Sequence, residues 1–351
     1  MNPDVFSFDT EKLITEIYES IDNAQLIFQH SILQNDIPDN EYKLLLDSLM
    51  KSSGIFWEDG SGLGKLIRPR AVFEATNVFK GNIDAAYKIG ASIQMIHNFS
   101  LVHDDVQDHS TARRGRPTLW SEVGVAQAIN IGDELFALAY DPLFRLMQSG
   151  IDYLNMFDVI QTIHSTIIKL THGQYLDINY ENKSRISLKS YIRMIEDKTG
   201  ALFSSSLQCA GIISNKNDSI ETLAKFGTTL GIIFQAIDDY ENIWGNESIN
   251  KSKFDEDLYN KKKSLPVILA INKDDHISNE VLSIYKKDID TDAVSRLHDI
   301  FNDNNIKEDC IQFISEQNHN AINILEADHF LEDTEKEALL EFKNSISEGL
   351  H

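Results

Sequence analysis

Apolar residues recur at helical spacing along almost the whole chain, and short polar stretches mark where one segment stops and the next starts. A first segment runs from Thr10 to Leu33 and a second from Glu41 to Ser52. The glycine-rich stretch Gly60-Ser61-Gly62-Leu63-Gly64-Lys65 comes next. A helix is expected from about Pro69, a favoured first-turn residue, to Phe79. Longer segments follow over Ile83 to Asp108, Gly124 to Gln148, Tyr153 to Asp177, Leu188 to Ser214 and Asp218 to Trp244. The stretch Gly245 to Lys263 is rich in Asn, Ser, Lys and Asp, lacks apolar periodicity, and reads as a mobile loop. Leu265-Pro266-Val267 restarts a helix, and from Asn279 onward the pattern stays periodic but turns more polar. No run alternates with the period of a strand and no linker separates domains. The expectation is an all-α chain.

Composition narrows the partners. The chain has 351 residues, 42% apolar and 25% charged, enough to bury a sizeable core. Its formal net charge is −23, with a sequence pI near 4.8. A nucleic-acid partner needs a basic footprint, and so does docking on anionic lipid, so both are excluded as expectations. An anionic substrate would need local positive charge from a metal ion or a few placed Lys and Arg. The two cysteines, Cys209 and Cys310, lie far apart and make neither a disulfide framework nor a zinc pattern. Cys209 stands in an apolar run and reads as a small core residue. The N-terminus lacks a basic region followed by an apolar one, so no signal peptide is visible, and no apolar run approaches the length of a membrane span. A cytoplasmic, reduced setting is expected.

Two acidic clusters carry the chemistry. Asp104-Asp105-Val106-Gln107-Asp108 is followed by Arg113-Arg114-Gly115, and Phe234-Gln235 precedes Asp238-Asp239-Tyr240-Glu241-Asn242. On a helix Asp104 and Asp108 share a face, and so do Gln235, Asp239 and Asn242. Single pairs of aspartates are common on solvated helix faces. These two instead close strongly apolar runs, Ile93 to Val102 and Gly231 to Ile237. Carboxylates crowded there repel one another, and oxygen-only clusters suit Mg²⁺, which keeps other positions for water and phosphate. The adjacent Arg pair suits phosphate too. The implied ligand is a diphosphate held between two carboxylate-bearing helices.

Further candidates surround the clusters. Lys65 and Arg68 follow the glycine-rich stretch at a helix start, where cations and backbone N–H groups grip an anion together. His97 lies two turns before Asp104 on the same face and could donate to a phosphate oxygen. His172-Gly173-Gln174-Tyr175-Leu176-Asp177 places an amide and a carboxylate within one turn. Lys198-Thr199-Gly200 sits at a glycine break where a helix can kink and open its backbone. Lys251 and Lys262 flank the polar loop and could close over a bound diphosphate.

These motifs resemble those of the trans-isoprenyl diphosphate synthases, the polyprenyl synthetase family, over about Gly64 to Ala270. LVHDDVQDHSTARRGRPT is similar to the family's first aspartate-rich motif, LGIIFQAIDDYENIWG to its second, and DEDLYNKKKSLPVI to its DLxxGKxTLPVI segment. The resemblance implies a single-domain helical bundle around a deep central cavity, with a motif-bearing core over about 60–275 and C-terminal helices over about 279–348. It implies a Mg²⁺-dependent prenyltransferase that joins isopentenyl diphosphate to an allylic diphosphate (dimethylallyl, geranyl or farnesyl) and works as a homodimer. Asp104 and Asp108, supported by Asp105, would hold Mg²⁺, and Asp238, with Asp239 beside it, a further ion. About three Mg²⁺ ions would accompany the bound diphosphate. Arg113, Lys198 and Lys262 would contact the allylic diphosphate. Lys65, Arg68, His97 and Arg114 would hold isopentenyl diphosphate without metal. Gln235 and Thr199 would line the reaction centre.

Three positions depart from the family pattern. Leu63-Gly64-Lys65-Leu66 stands where the family has GGKR, Asn242 replaces the last Asp of the second motif, and Lys261 replaces the Gly before the loop lysine. Product length would be set by Phe99, Ser100 and Ile96, one to two turns before Asp104. An aromatic residue at Phe99, with no insertion inside DDVQD, resembles synthases of geranylgeranyl diphosphate. Farnesyl diphosphate is the alternative main product. A terpene cyclase acting on one prenyl diphosphate and a non-catalytic partner subunit are the other readings. A cyclase would not need Lys65, Arg68 and Arg114.

Overall fold

A computed structural model describes residues 7–32, 39–55, 62–113, 115–181, 183–245 and 255–347. The chain sorts into two compact units, residues 1–164 with 205–220, and residues 165–204 with 221–351. The fold is all-α. Among the described residues the only strands are two residues long, β1 (Ala112–Arg113) and β2 (Arg116–Pro117), paired antiparallel.

The first unit is organised by one helix, α4 (Ile83–Gln107), buried along most of its length from Ala85 to Val102. A helix that is apolar nearly all round belongs inside a bundle rather than on its surface. Around it pack α1 (Thr10–Ile32), α2 (Asp39–Ser53), α3 (Ile67–Val78) and α6 (Val125–Leu138), with the single-turn helices α5 (Leu119–Val123) and α7 (Asp141–Phe144). Asn82 starts α4 properly: its Oδ1 accepts from the Ala85 N–H at 3.0 Å and its Nδ2 donates to the Ser149 carbonyl at 2.6 Å. Near that end Lys88 and Arg145 both meet the buried Glu16, at 3.1 and 3.0 Å, so a buried ion network anchors α1 to α4. At the other end Gly132 lets α6 lie against His103, because a Cβ there would come within 2.3 Å of the imidazole Nε2. Cys209, on α10 (Ala201–Ile213), is fully buried, and burial pushes its thiol well up.

The second unit is built round α11 (Ile220–Trp244), with the later part of α8 (Tyr153–Glu181), α9 (Leu188–Ile195) and a π-helical turn over Glu196–Gly200. Glycines set these distances. A Cβ on Gly231 would stand 2.4 Å from the Gly200 Cα, and one on Gly227 would stand 2.6 Å from the Phe203 carbonyl oxygen. A Cβ on Gly173 of α8 would stand 2.2 Å from the Lys198 backbone nitrogen. The π turn therefore lies in backbone contact with α8 on one side and α11 on the other. Among the described residues the remaining helices are α12 (Glu256–Tyr259), α13 (Leu265–Lys273), α14 (Asp275–Tyr285), α15 (Thr291–Asp303), α16 (Ile306–Glu326) and α17 (Asp333–Ser347).

Four segments differ from the sequence expectation. The run Gly124 to Gln148 is not one helix: α6 ends at Leu138, Pro142 opens α7, and a 3₁₀ turn over Leu146–Ser149 stops at Gly150, whose φ is 81°. Proline lacks the N–H that continuation requires and suits the first turn of a new helix. The run Leu188 to Ser214 is divided by the π turn. The β1–β2 pair follows α4, and two-residue strands are too short to leave a period-two signal. Within Gly245 to Lys263, residues 246–254 lie outside the described residues, and the rest contains α12.

Candidate active site

In the first unit α4 ends as Asp104 and Asp108 come into place. Asp104 is half-buried on its last turn, Asp105 is buried, and Asp108 is the exposed C-cap, its N–H donating to the Asp104 carbonyl at 2.8 Å. Arg113 closes onto the middle of this cluster: its Nε and Nη2 donate to Asp105 Oδ1 at 2.9 and 2.8 Å. Burial raises the Asp105 carboxyl and the Asp108 charge adds to that, while the Arg113 guanidinium opposes both. The β1–β2 turn that carries Arg113 is tied down by Thr118 and Trp120, whose side chains both donate to the Ser110 carbonyl at 2.7 Å. Arg114 lies outside the described residues.

The cationic start of α3 is in the same unit. Gly64 has φ 72° and Leu66, the N-cap, has φ 49°, so the turn carrying the exposed Lys65 is left-handed at two positions. Arg68 is half-buried in the first turn, and Pro69 next to it packs on Gly90 of α4, where a Cβ would come within 3.3 Å. His97 is half-buried on α4. Among the chain-length candidates, Ile96 is fully buried, and Ser100 is half-buried with its hydroxyl donating to the His97 carbonyl at 2.7 Å. The Phe99 ring packs at 5.2 Å on Phe136 of α6 and at 5.8 Å edge-on to His103.

One pocket of this unit went unread in the sequence. A cavity of about 380 Å³ is lined by Lys51, Asn98, Val102, Asp105, Arg113 and Arg116, among others. Asn98 donates to the Ser53 carbonyl at 2.8 Å and accepts from Gln94 at 3.0 Å. The available signal was a pair of amides one turn apart, Gln94 and Asn98, on a helix otherwise too apolar for them.

In the second unit the π turn and α11 bring five predicted residues together. The Thr199 hydroxyl donates to Gln235 Oε1 at 2.8 Å, and Gln235 Nε2 donates to Asp239 Oδ1 at 2.8 Å. Lys198 meets Asp177 of α8 at 2.5 Å, and Lys262 meets Glu181, one turn further along α8, at 3.0 Å. Burial raises the Asp177 carboxyl, yet the charges of Lys198 and Lys262 outweigh it and hold the group below its ordinary range. The two aspartates of the second motif divide. Asp238 is exposed, whereas Asp239 is buried, its Oδ2 accepting from the Tyr191 hydroxyl and the Leu265 N–H, both at 2.6 Å. Burial and the neighbouring Asp238 push Asp239 up, against those hydrogen bonds.

Tyr191 and Asp257 were missed by sequence reading. Asp257 stands in the DEDL segment; burial pushes its carboxyl up, as do the charges of Asp239 and Asp238, and Lys262 opposes them. Asn242 holds this segment to α11, its Oδ1 accepting from the Asp257 N–H at 3.2 Å and its carbonyl from the Asp255 N–H at 2.8 Å. Lys261 has φ 56°, a left-handed position that glycine fills without strain. Lys251 lies outside the described residues.

The donor set is compatible with Mg²⁺. The carboxylates at Asp104, Asp108 and Asp238 offer oxygen alone and reach the surface, while Asp105 and Asp239 are committed to internal partners. Among the described residues no three carboxylate, imidazole or thiolate groups converge into a preformed cage. Mg²⁺ does not require one, since one or two carboxylates with phosphate oxygens and water suffice.

Comparison with known proteins identifies the family and the fold. The polyprenyl synthetase family model matches residues 59–302. A geranylgeranyl diphosphate synthase of Mycobacterium tuberculosis is 33% identical over 224 residues, 64% of this chain and 63% of that protein. A (2E,6E)-farnesyl diphosphate synthase of Mycobacterium bovis is 33% identical over 222 residues, 61% of this chain and 60% of that protein. The aligned stretches thus span about three-fifths of these relatives' own length. The crystal structure of a polyprenyl synthetase from Streptomyces coelicolor superposes with a TM-score of 0.78 at 25% identity, covering 95% of this chain and 99% of that one. With a family model matched across both acidic clusters and the loop that follows the second, the chain belongs to the polyprenyl synthetase family.

Proposed function

We propose that the protein joins isopentenyl diphosphate to an allylic diphosphate and releases a short-chain all-trans prenyl diphosphate, with geranylgeranyl diphosphate as the main product. Geranylgeranyl and farnesyl diphosphate synthases among the similar proteins support the substrate class. The observation that carries the reading is the polar neighbourhood of the second unit. Lys198 and Lys262 both act on Asp177, and Lys262 also acts on Asp257, which feels Asp238 and Asp239. Cations interleaved with carboxylates on a buried helical frame suit a diphosphate and the ions that accompany it.

Each group has a part in this reading. Asp104 and Asp108, and separately Asp238, would hold Mg²⁺, which would supply the positive charge that makes diphosphate a leaving group. Arg113, Lys198 and Lys262 bind the allylic diphosphate oxygens, and Asp177 and Glu181 hold the two lysines in place for them. Lys65, Arg68, His97 and Arg114 bind isopentenyl diphosphate. Thr199 and Gln235 face the reaction centre with orientations set by their mutual hydrogen bond. Apolar surroundings keep water from the allylic cation. Its C1 is attacked by the double bond of isopentenyl diphosphate, and a proton is then lost to the departing diphosphate. No protein nucleophile is required. A homodimer belongs to the same reading, supported by exposed apolar side chains in the first unit such as Ile129, Leu154 and Phe157.

The test is product analysis with labelled isopentenyl diphosphate and dimethylallyl, geranyl or farnesyl diphosphate in turn, in Mg²⁺. Elongated prenyl diphosphate from each primer is the expected result. A hydrocarbon or alcohol formed from a single prenyl diphosphate, without incorporation of label, would establish the cyclase reading instead.

A further inference from the structure

The Asp239 carboxylate accepts three hydrogen bonds, and its donors come from different parts of the chain. Gln235 on α11 holds Oδ1; Tyr191 on α9 and the Leu265 N–H at the start of α13 hold Oδ2. The Leu265 bond fills a gap in the chain's own capping. Ser264 is the N-cap of α13 but its side chain makes no capping bond, so the carboxylate of α11 satisfies an N–H that would otherwise be left over at a helix start. The same carboxylate fixes the Gln235 amide, whose other end accepts from Thr199. Tyr191 is 1% exposed, so a phenylalanine ring would fill the same space and only the hydroxyl would be lost.

We propose that Tyr191 is a positioning residue for prenyl transfer. Its hydroxyl fixes Asp239, and Asp239 in turn holds the turn after Lys262 and the Thr199–Gln235 pair in one arrangement. The proposal rests on the reading of the site above, through the roles given there to Lys262, Thr199 and Gln235. Without the hydroxyl, Asp239 keeps two donors and the repulsion of Asp238. With one anchor gone the carboxylate is free to rotate away from Asp238, and a rotated carboxylate cannot keep its bonds to both Gln235 and Leu265. Lys262, three residues before Leu265, loses the anchor of its turn. Gln235 loses the acceptor that sets which way its amide faces.

The experiment compares the wild-type protein with Tyr191→Phe, Asp239→Asn, the double variant, and Tyr87→Phe as a control. Tyr87 is also buried, in the first unit, and its hydroxyl accepts from the Asp9 N–H at 2.7 Å, outside the site. Steady-state rates are measured with farnesyl and isopentenyl diphosphates in Mg²⁺, and amide hydrogen exchange at Leu265 is measured in parallel. Tyr191→Phe should lower kcat by about tenfold, leave KM for isopentenyl diphosphate within about twofold, and speed Leu265 exchange by about tenfold. In the Asp239→Asn background the same change should cost little more, because both act through one carboxylate. Tyr87→Phe should match wild type. Wild-type-like kcat in Tyr191→Phe, or multiplicative effects in the double variant, would overturn the proposal while leaving the reading of the site intact. A wild-type protein that elongates nothing would overturn that reading, and Tyr191's part in catalysis with it, even if Leu265 exchange still responded.

Discussion

At the residue scale the two acidic motifs divide their labour by burial. Asp105 and Asp239 face inward to Arg113 and Tyr191, while Asp104, Asp108 and Asp238 reach the surface. Asp104→Ala should therefore lower turnover at least about a hundredfold, on the order of 3 kcal/mol of transition-state stabilisation, with Mg²⁺ at saturation. Lys65→Ala should instead raise KM for isopentenyl diphosphate and leave that for the allylic substrate near wild type; steady-state kinetics with each substrate varied separates the two. Phe99, packed on Phe136, is the proposed floor of the growing chain. Chromatography of the products of Phe99→Ala should show longer prenyl diphosphates, and an unchanged distribution would move the floor to another helix. Lys261 adopts φ 56° where the family pattern has glycine. Left-handed geometry costs an ordinary residue roughly 1–2 kcal/mol, part of which glycine gives back as chain entropy. Lys261→Gly should thus stabilise by up to about 1 kcal/mol in denaturant titrations while retaining turnover.

At the element scale, the π turn over Glu196–Gly200 is where the fold serves the site. The sequence shows a glycine beside Lys198-Thr199 and suggests a break; it does not show which way the break turns. That depends on glycines distant in the chain, Gly173 and Gly231, whose missing side chains admit the widened turn. Gly173→Ala places a methyl 2.2 Å from the Lys198 nitrogen, against backbone that cannot yield as a side chain would. A loss of roughly 1–3 kcal/mol in denaturant unfolding is expected, with a fall in kcat as Lys198 and Thr199 shift. An unchanged kcat at that stability loss would separate the turn from catalysis. Most helices were legible because apolar spacing survives whatever they pack against, as in α4 and α11. The division of Gly124 to Gln148 was legible only in Pro142, and the β1–β2 turn not at all, since its bonds to Ser110 come from Thr118 and Trp120.

At the scale of the whole molecule, the proposed ligand must stabilise the fold by mass action. Mg²⁺ with inorganic diphosphate at about a hundred times Kd should add about 2.7 kcal/mol, a rise in Tm of roughly 3–5 °C for a chain of this size. The dependence should be joint: a chelator should abolish the shift, and a full shift from diphosphate alone would argue against ion-bridged binding. No helix among the described residues is long and apolar enough to cross a membrane. By itself the sequence determined the helical class, the two carboxylate clusters and most of the cations near them, because helical spacing and motif order are local properties of a chain. Tertiary structure alone decided which aspartates turn inward, how Tyr191 and Leu265 bind Asp239, and how Asp177 and Glu181 restrain two lysines. Burial and hydrogen-bond partners belong to residues distant in sequence, and no local pattern encodes them.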